Sequence, residues 1–157
     1  MKLIIFYLLY PLLKGISLLP YKILYFLSDI LKFLFFNVIK YRLKVVKKNI
    51  AIAFPELSIK KQKEIISNFY KHLTDIFIEM IKSISLSKNQ AVKRYSFKNL
   101  HILREHKKNN RSIILLLGHY SSWEGMLTIG NHLDFPSYAI YTPLTNKYFN
   151  KLIFKSR

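Results

Sequence analysis

Apolar residues crowd the first 40 positions, then recur at helical spacing, and finally gather into short closed runs separated by turns. Leu, Ile, Phe and Tyr dominate residues 1–40, as at 3–9 and 33–36, with Lys14, Lys22, Asp29, Lys32 and Lys40 as interruptions. A membrane span needs about 20 consecutive apolar residues, and the longest uncharged stretch, 3–13, is roughly half that. The pattern predicts a membrane-associating helical segment over 1–40 rather than a soluble helical layer. Two forms stay open. Residues 3–21 cross at a tilt, with Lys14 snorkelling and Pro11 and Pro20 kinking or ending the helix. Alternatively, the segment lies in the interface with Tyr7, Tyr10, Tyr21 and Tyr25 at the headgroup boundary. No small-residue cleavage site follows Leu13, so the segment is expected to be retained rather than removed as a signal peptide.

From Tyr41 the chain turns basic, through Arg42, Lys44, Lys47 and Lys48, until Pro55 breaks whatever helix leads into it. Ser58 is a plausible cap for a long amphipathic helix, in which Ile65, Ile66, Phe69, Tyr70, Leu73, Ile76, Phe77, Met80 and Ile81 recur at three-and-four spacing. Glu79 sits near its end, either as an acid among apolar neighbours or as a solvent-facing partner of Lys82 or Lys71. Beyond it the pattern predicts a short strand at 95–97, a helix at 100–108 and a turn at Asn109-Asn110. The run 113–117, closed by Gly118, predicts a strand buried on both faces of a parallel sheet. A helix at 123–133, a strand at 137–141, a loop through Pro143 and Asn146 and a helix at 147–157 follow. Together these predict an α/β architecture: membrane-associated helices over 1–40, then part of a sheet domain over 41–157.

Charge and composition narrow the class. The chain carries 26 Lys+Arg against 8 Asp+Glu, a formal +18, while 51% of it is hydrophobic. That combination favours an anionic membrane surface. A nucleic-acid partner is not expected, because the aromatics lie in apolar runs with Leu and Ile rather than in a readable motif. A base-composition bias accounts equally well for part of the charge. Cysteine is absent, which rules out disulfides, thiolate metal sites and a thiol nucleophile. No His/Asp/Glu spacing suits a metal, no Gly-rich loop suits a nucleotide, and no cofactor is expected.

The candidate chemistry lies in Gly118-His119-Tyr120-Ser121-Ser122-Trp123-Glu124, expected at the C-terminal end of the buried strand, the edge where ligands collect in open α/β sheets. On one continuous helix His119 and Glu124 would diverge, since five residues advance about 500°. Across a loop-to-helix corner, a carboxylate in the first helical turn is able to fold back to the imidazole. Held in one tautomer by that carboxylate, a neutral imidazole can take the proton of an alcohol attacking a thioester. The nucleophile then belongs to the substrate, which suits a chain without cysteine or a Gly-x-Ser-x-Gly elbow. A His followed five residues later by an acid is weak by itself, and a hydrogen-bonded histidine at a strand end is the competing reading. His101, His106 and His132 read as surface or loop residues. Lys147, Lys151 and Arg157, after the Asn146 helix start, are candidates for a substrate phosphate, with a solvated basic helix as the plainer reading of the two lysines.

The ordered set of motifs resembles the bacterial lipid A biosynthesis acyltransferases, the lauroyl and myristoyl transferases with a His-x4-Asp/Glu signature. It comprises Tyr41-Arg42, Asn49, Phe54-Pro55, a long helix ending in Glu79, residues 113–124, residues 141–150 and Arg157. The resemblance covers the whole chain. It departs at Ser121-Ser122, where many members carry Gly-Asn. Members are longer, so the resemblance implies the N-terminal half of such an enzyme, a fragment or the product of a broken gene. It also implies an enzyme at the cytoplasmic face of the inner membrane that moves an acyl chain from acyl carrier protein to a hydroxyl of a lipid A precursor. His119 and Glu124 are then the catalytic pair, and Arg42, Glu79, Ser122, Trp123, Asn146 and Arg157 are substrate-binding candidates. Two alternatives remain: a related acyltransferase with a lysophospholipid or glycolipid acceptor, and a non-catalytic membrane-binding protein.

Overall fold

The computed structural model describes residues 2–118 and 123–156, without the side chains of Lys2, Ile5, Trp123, Glu124, Lys155 and Ser156. Two compact units emerge. One is Leu19–Met80, and the other combines Met1–Leu18 with Ile81–Arg157.

Within Leu19–Met80, α2 (Tyr21–Phe33) runs into a π-helical turn (Leu34–Val38), followed by α3 (Leu43–Ala53) and the greater part of α4 (Ile59–Ser83). Leu24 and Ser28 are fully buried one turn apart on α2, and Ile66, Tyr70, Thr74 and Ile78 recur every four residues along α4 as its buried side. Ser28 Oγ donates to Asp75 Oδ1 at 2.6 Å and lies 3.0 Å from Thr74 Oγ1. The wider π turn brings its two rings inward: Phe36 packs on Tyr70 with centroids 5.1 Å apart, and Phe35 meets Phe77 edge-on at 6.4 Å. Beyond it, Lys40 and Arg42 both adopt left-handed backbone, φ 52° and 50°, a conformation costing a side-chain-bearing residue about 1–2 kcal/mol. Between them the Tyr41 carbonyl accepts the Tyr70 hydroxyl, which helps hold this corner.

As the sequence pattern predicts, α3 stops just short of Pro55, and Ser58 caps α4 by accepting from the Lys61 N–H at 3.4 Å. Gln62 straps the intervening turn by donating to the carbonyls of Phe54 and Leu57.

In the other unit, α1 (Lys2–Leu18) packs on α8 (Lys147–Ser156). Phe6 stacks on Tyr10 and meets Tyr148 and Phe149 within 5.7 Å. Lysines and a serine serve as caps: Lys82 Nζ and Ser85 Oγ donate to the Ser17 carbonyl, and Lys14 Nζ donates to that of Ile84. Lys82 is thereby buried, its ammonium placed at a helix C-terminus where cations are favoured. Then come α5 (Lys88–Arg94), opened by a Ser87/Gln90 capping box, α6 (Leu100–Lys108), and the short α7 (Trp123–Met126), which tightens into a 3-10 turn (Leu127–His132).

The expected α/β architecture is not what forms. The described residues are predominantly helical and contain no strand and no sheet. Residues 95–97, 113–117 and 137–141, each expected as a strand, are irregular. Far from being buried on both faces, Ile114 and Leu116 are 86% and 88% exposed, and Tyr138 is 92% exposed. The physical reason is that a strand exists only through hydrogen bonds to a neighbour, and a five-residue apolar run carries the composition of a buried strand without supplying that neighbour.

The helix expected over 123–133 is also cut short, for a packing reason. A Cβ on Gly125 would come within 2.4 Å of the Tyr95 ring, and one on Gly130 within 2.4 Å of Ser137 Oγ, so this segment carries glycine where neighbours approach closely. The two glycines weaken helix propensity, while Thr128 Oγ1 donates to the Gly125 carbonyl at 2.7 Å across the tightened turn. The tilted span over residues 3–21 fails too. Among the described residues no helix is long and apolar enough to cross a membrane. Pro20 sits at the N-cap of α2 and separates it from α1, whereas Pro11 lies within α1 without ending it.

Candidate functional site

Of the segment expected to carry the chemistry, 118–124, Gly118 ends an irregular stretch. His119 and Ser122 lie outside the described residues, as does Arg157. Trp123 and Glu124 are the first two residues of α7, and their side chains also lie outside the description. Glu124 therefore falls in the first turn of a helix that starts four positions after His119. Of the expected strand-loop-helix corner, the described residues hold the helical start at 123 and no strand over 113–118.

The remaining candidates are described. Arg42 is the exposed N-cap residue of α3, in the left-handed conformation noted above. Such a backbone is retained when surrounding structure over-determines it, here in part through the Tyr70–Tyr41 bond two helices apart in sequence. Glu79 is half-buried near the end of α4, where its Oε1 accepts the Tyr25 hydroxyl at 2.6 Å. Asn146 caps α8: its Oδ1 accepts the backbone N–H groups of Tyr148 and Phe149 at 3.0 and 3.4 Å, so that carbonyl is engaged by its own helix.

Sequence reasoning missed the polar network between α2 and α4. Lys71 Nζ lies 2.7 Å from Asp29 Oδ1 and 3.0 Å from Asp75 Oδ1, and 5.9 Å from the centre of the Tyr25 ring. Partial burial pulls the Lys71 ammonium down, but its hydrogen bonds and attraction to the two carboxylates outweigh that and hold its pKa above the ordinary lysine value. The neighbouring Tyr70 hydroxyl is also held above the usual tyrosine range, by burial first and by Tyr41 second. The available signal was Ser28-Asp29 in the middle of an apolar run: a serine inside a helix seeks a partner, and here finds Asp75.

In the unit made of residues 1–18 and 81–157, Arg104 ties the segment after α7 to α6. It donates from Nη2 to the His132 carbonyl at 2.9 Å and places Nε 3.8 Å from Asp134 Oδ1, while the His132 ring packs edge-on against Phe97. These contacts hold the segment that follows α7.

Across its entire length, residues 1–157, the chain matches the family described as bacterial lipid A biosynthesis acyltransferase. No curated protein and no solved structure matches it. The family match establishes that this chain belongs to the bacterial lipid A biosynthesis acyltransferases.

Proposed function

We propose that the chain carries the catalytic pair of an enzyme transferring a fatty acyl group from acyl carrier protein to a hydroxyl of a lipid A precursor, at the cytoplasmic face of the inner membrane. The family supplies the coarse activity, an acyltransferase with a lipid substrate and an acyl donor. The observation that carries the finer reading is the start of α7 at Trp123, which puts the Glu124 backbone in a first helical turn just after His119.

In this reading His119 takes the proton from the acceptor hydroxyl as its oxygen attacks the thioester carbonyl, and Glu124 orients the imidazole and stabilises its charged form. The tetrahedral intermediate collapses by breaking the C–S bond, and the carrier thiolate receives the proton from the imidazolium. Backbone N–H groups following His119 are candidates for the oxyanion donors by their place in the sequence alone. Arg42, Ser122, Trp123 and Arg157 are assigned to substrate binding, as is Glu79 through the geometry set by Tyr25. Asn146 contributes by capping α8. The formal charge of +18 favours encounter with an acidic carrier.

The test is turnover of the full-length parent enzyme with carrier thioester and a panel of acceptors: a lipid A precursor, a lysophospholipid and a glycolipid. His119→Ala is expected to lower turnover by roughly 100-fold or more, the scale of a positioned general base. Near-native turnover in that variant would overturn the catalytic assignment, and acylation of another acceptor in preference to the lipid A precursor would overturn the substrate assignment.

A further inference from the structure

α2 has two faces of opposite character. Leu24 and Ser28 are fully buried, and Ser28 bonds to α4. At about 100° per residue, the opposite side of the helix carries Ile23, Phe26, Ile30 and Phe33 within an arc of roughly 100°. All four are exposed, Phe26 at 64% and Phe33 at 59%. Single exposed apolar side chains are ordinary, but a row of four at helical spacing, two of them phenylalanine, is the pattern of a surface that meets something apolar.

The charges beside it on α2 and in the segment that follows indicate what that is. Lys22 is exposed one helical step from the arc, and the acid beside it, Asp29, is neutralised by Lys71 at 2.7 Å. Beyond the π turn, Lys40, Arg42, Lys44, Lys47 and Lys48 are all exposed, with Val45 and Ile52 exposed among them on α3. A row of large apolar groups with Lys22 at its edge, in a chain whose next segment exposes five more cations, matches the boundary layer of an anionic bilayer, where acyl chains lie just beneath phosphates. At 13 residues, α2 is about 20 Å long and too short to cross a hydrocarbon core of about 30 Å, so it meets that layer lying flat.

We propose that the outward face of α2, Ile23, Phe26, Ile30 and Phe33, seats in the headgroup and acyl boundary of an anionic membrane, with the basic residues from Lys40 to Lys48 against lipid phosphates. This replaces the expectation that Tyr21 and Tyr25 mark the boundary. Tyr25 is turned to Glu79 and stacks with Tyr21, with ring centres 6.1 Å apart. The inference rests on the membrane placement in the preceding reading and names the surface that makes the contact.

Because the chain lacks cysteine, single substitutions Phe26→Cys, Phe33→Cys and Glu64→Cys can each be labelled with an environment-sensitive nitrobenzoxadiazole. Glu64 is exposed on α4 and serves as the control. With vesicles of phosphatidylglycerol and phosphatidylcholine, the labels at 26 and 33 are expected to brighten several-fold and to be quenched by lipid spin-labelled near the headgroup end of the acyl chain. The label at 64 is expected to stay unchanged. Vesicles of phosphatidylcholine alone are expected to bind at least about tenfold more weakly, the effect of losing one or two lysine–anionic lipid attractions.

Labels at 26 and 33 that behave like the one at 64 would overturn the proposal. So would brightening without vesicles that grows with protein concentration, since a second copy would then cover this face. Equal binding to uncharged vesicles would overturn the part played by the lysines. The His119→Ala chain is expected to insert like the parent, so a failure of insertion and a failure of the acyl-transfer chemistry are read separately.

Discussion

Lys71 shows how an unremarkable surface position becomes a junction. It bridges Asp29 on α2 and Asp75 on its own helix, and its charged form is favoured over that in the unfolded chain. A group whose pKa rises on folding contributes stability that is whole below its unfolded value and is lost as pH climbs through the folded one. Tyr70 shifts in the same direction. The native chain is therefore expected to hold its thermal midpoint from neutrality to about pH 10 and to lose it above that, over the range where tyrosine and lysine titrate. In Lys71→Met the alkaline decline is expected to be shallower, measured by circular dichroism melts across that range. Superimposable profiles for the two chains would show that the two carboxylates do not favour the lysine charge.

At the scale of elements, α2 is keyed to α4 by polar groups as well as by Leu24. The Ser28 hydroxyl supplies the 2.6 Å bond to Asp75, and Lys71 supplies the second donor to that carboxylate. Ser28→Ala removes one donor while leaving the carboxylate half-buried, an arrangement that costs about 1–2 kcal/mol. The measurement is urea unfolding of the full chain, in which a change below a few tenths would mean that apolar packing alone sets the register of α2. The same face explains why the outward stripe is fixed in direction: a helix pinned by Ser28 and Leu24 cannot rotate Phe26 and Phe33 away from its exposed side.

For the whole molecule, the unusual property is apolar surface combined with a high positive charge. Residues 113–117 form an uninterrupted aliphatic run, with Ile114 and Leu116 almost fully exposed. Short β-prone apolar segments without proline associate edge to edge, and the general repulsion of a +18 chain opposes this only until salt screens it. Light scattering is expected to rise as salt goes from about 0.05 to 1 M, where the screening length falls from over 10 Å to about 3 Å. Leu116→Lys is expected to suppress that rise without changing the melting midpoint, since the side chain it replaces packs on little. Equal scattering from both chains would place the association elsewhere.

How far the sequence reached differs by feature, and the reasons are physical. Features governed by neighbours along the chain were readable there: the long α4, its Ser58 cap, the break at Pro55, the helix at 100–108 and the start of the one after Asn146 all follow from spacing and capping within a few residues. Membership of the acyltransferase family was also readable, because it is carried by the order of residues along the chain. What required tertiary structure was every feature needing a partner distant in sequence. Whether residues 113–117 pair as a strand, whether Glu79 meets a lysine or Tyr25, and which side of α2 faces outward depend on segments far along the chain. A hydrophobic run records only that burial or membrane contact is favourable, whereas the folded arrangement of α2 against α4 decided that Leu24 and Ser28 go inside and Phe26 and Phe33 stay out.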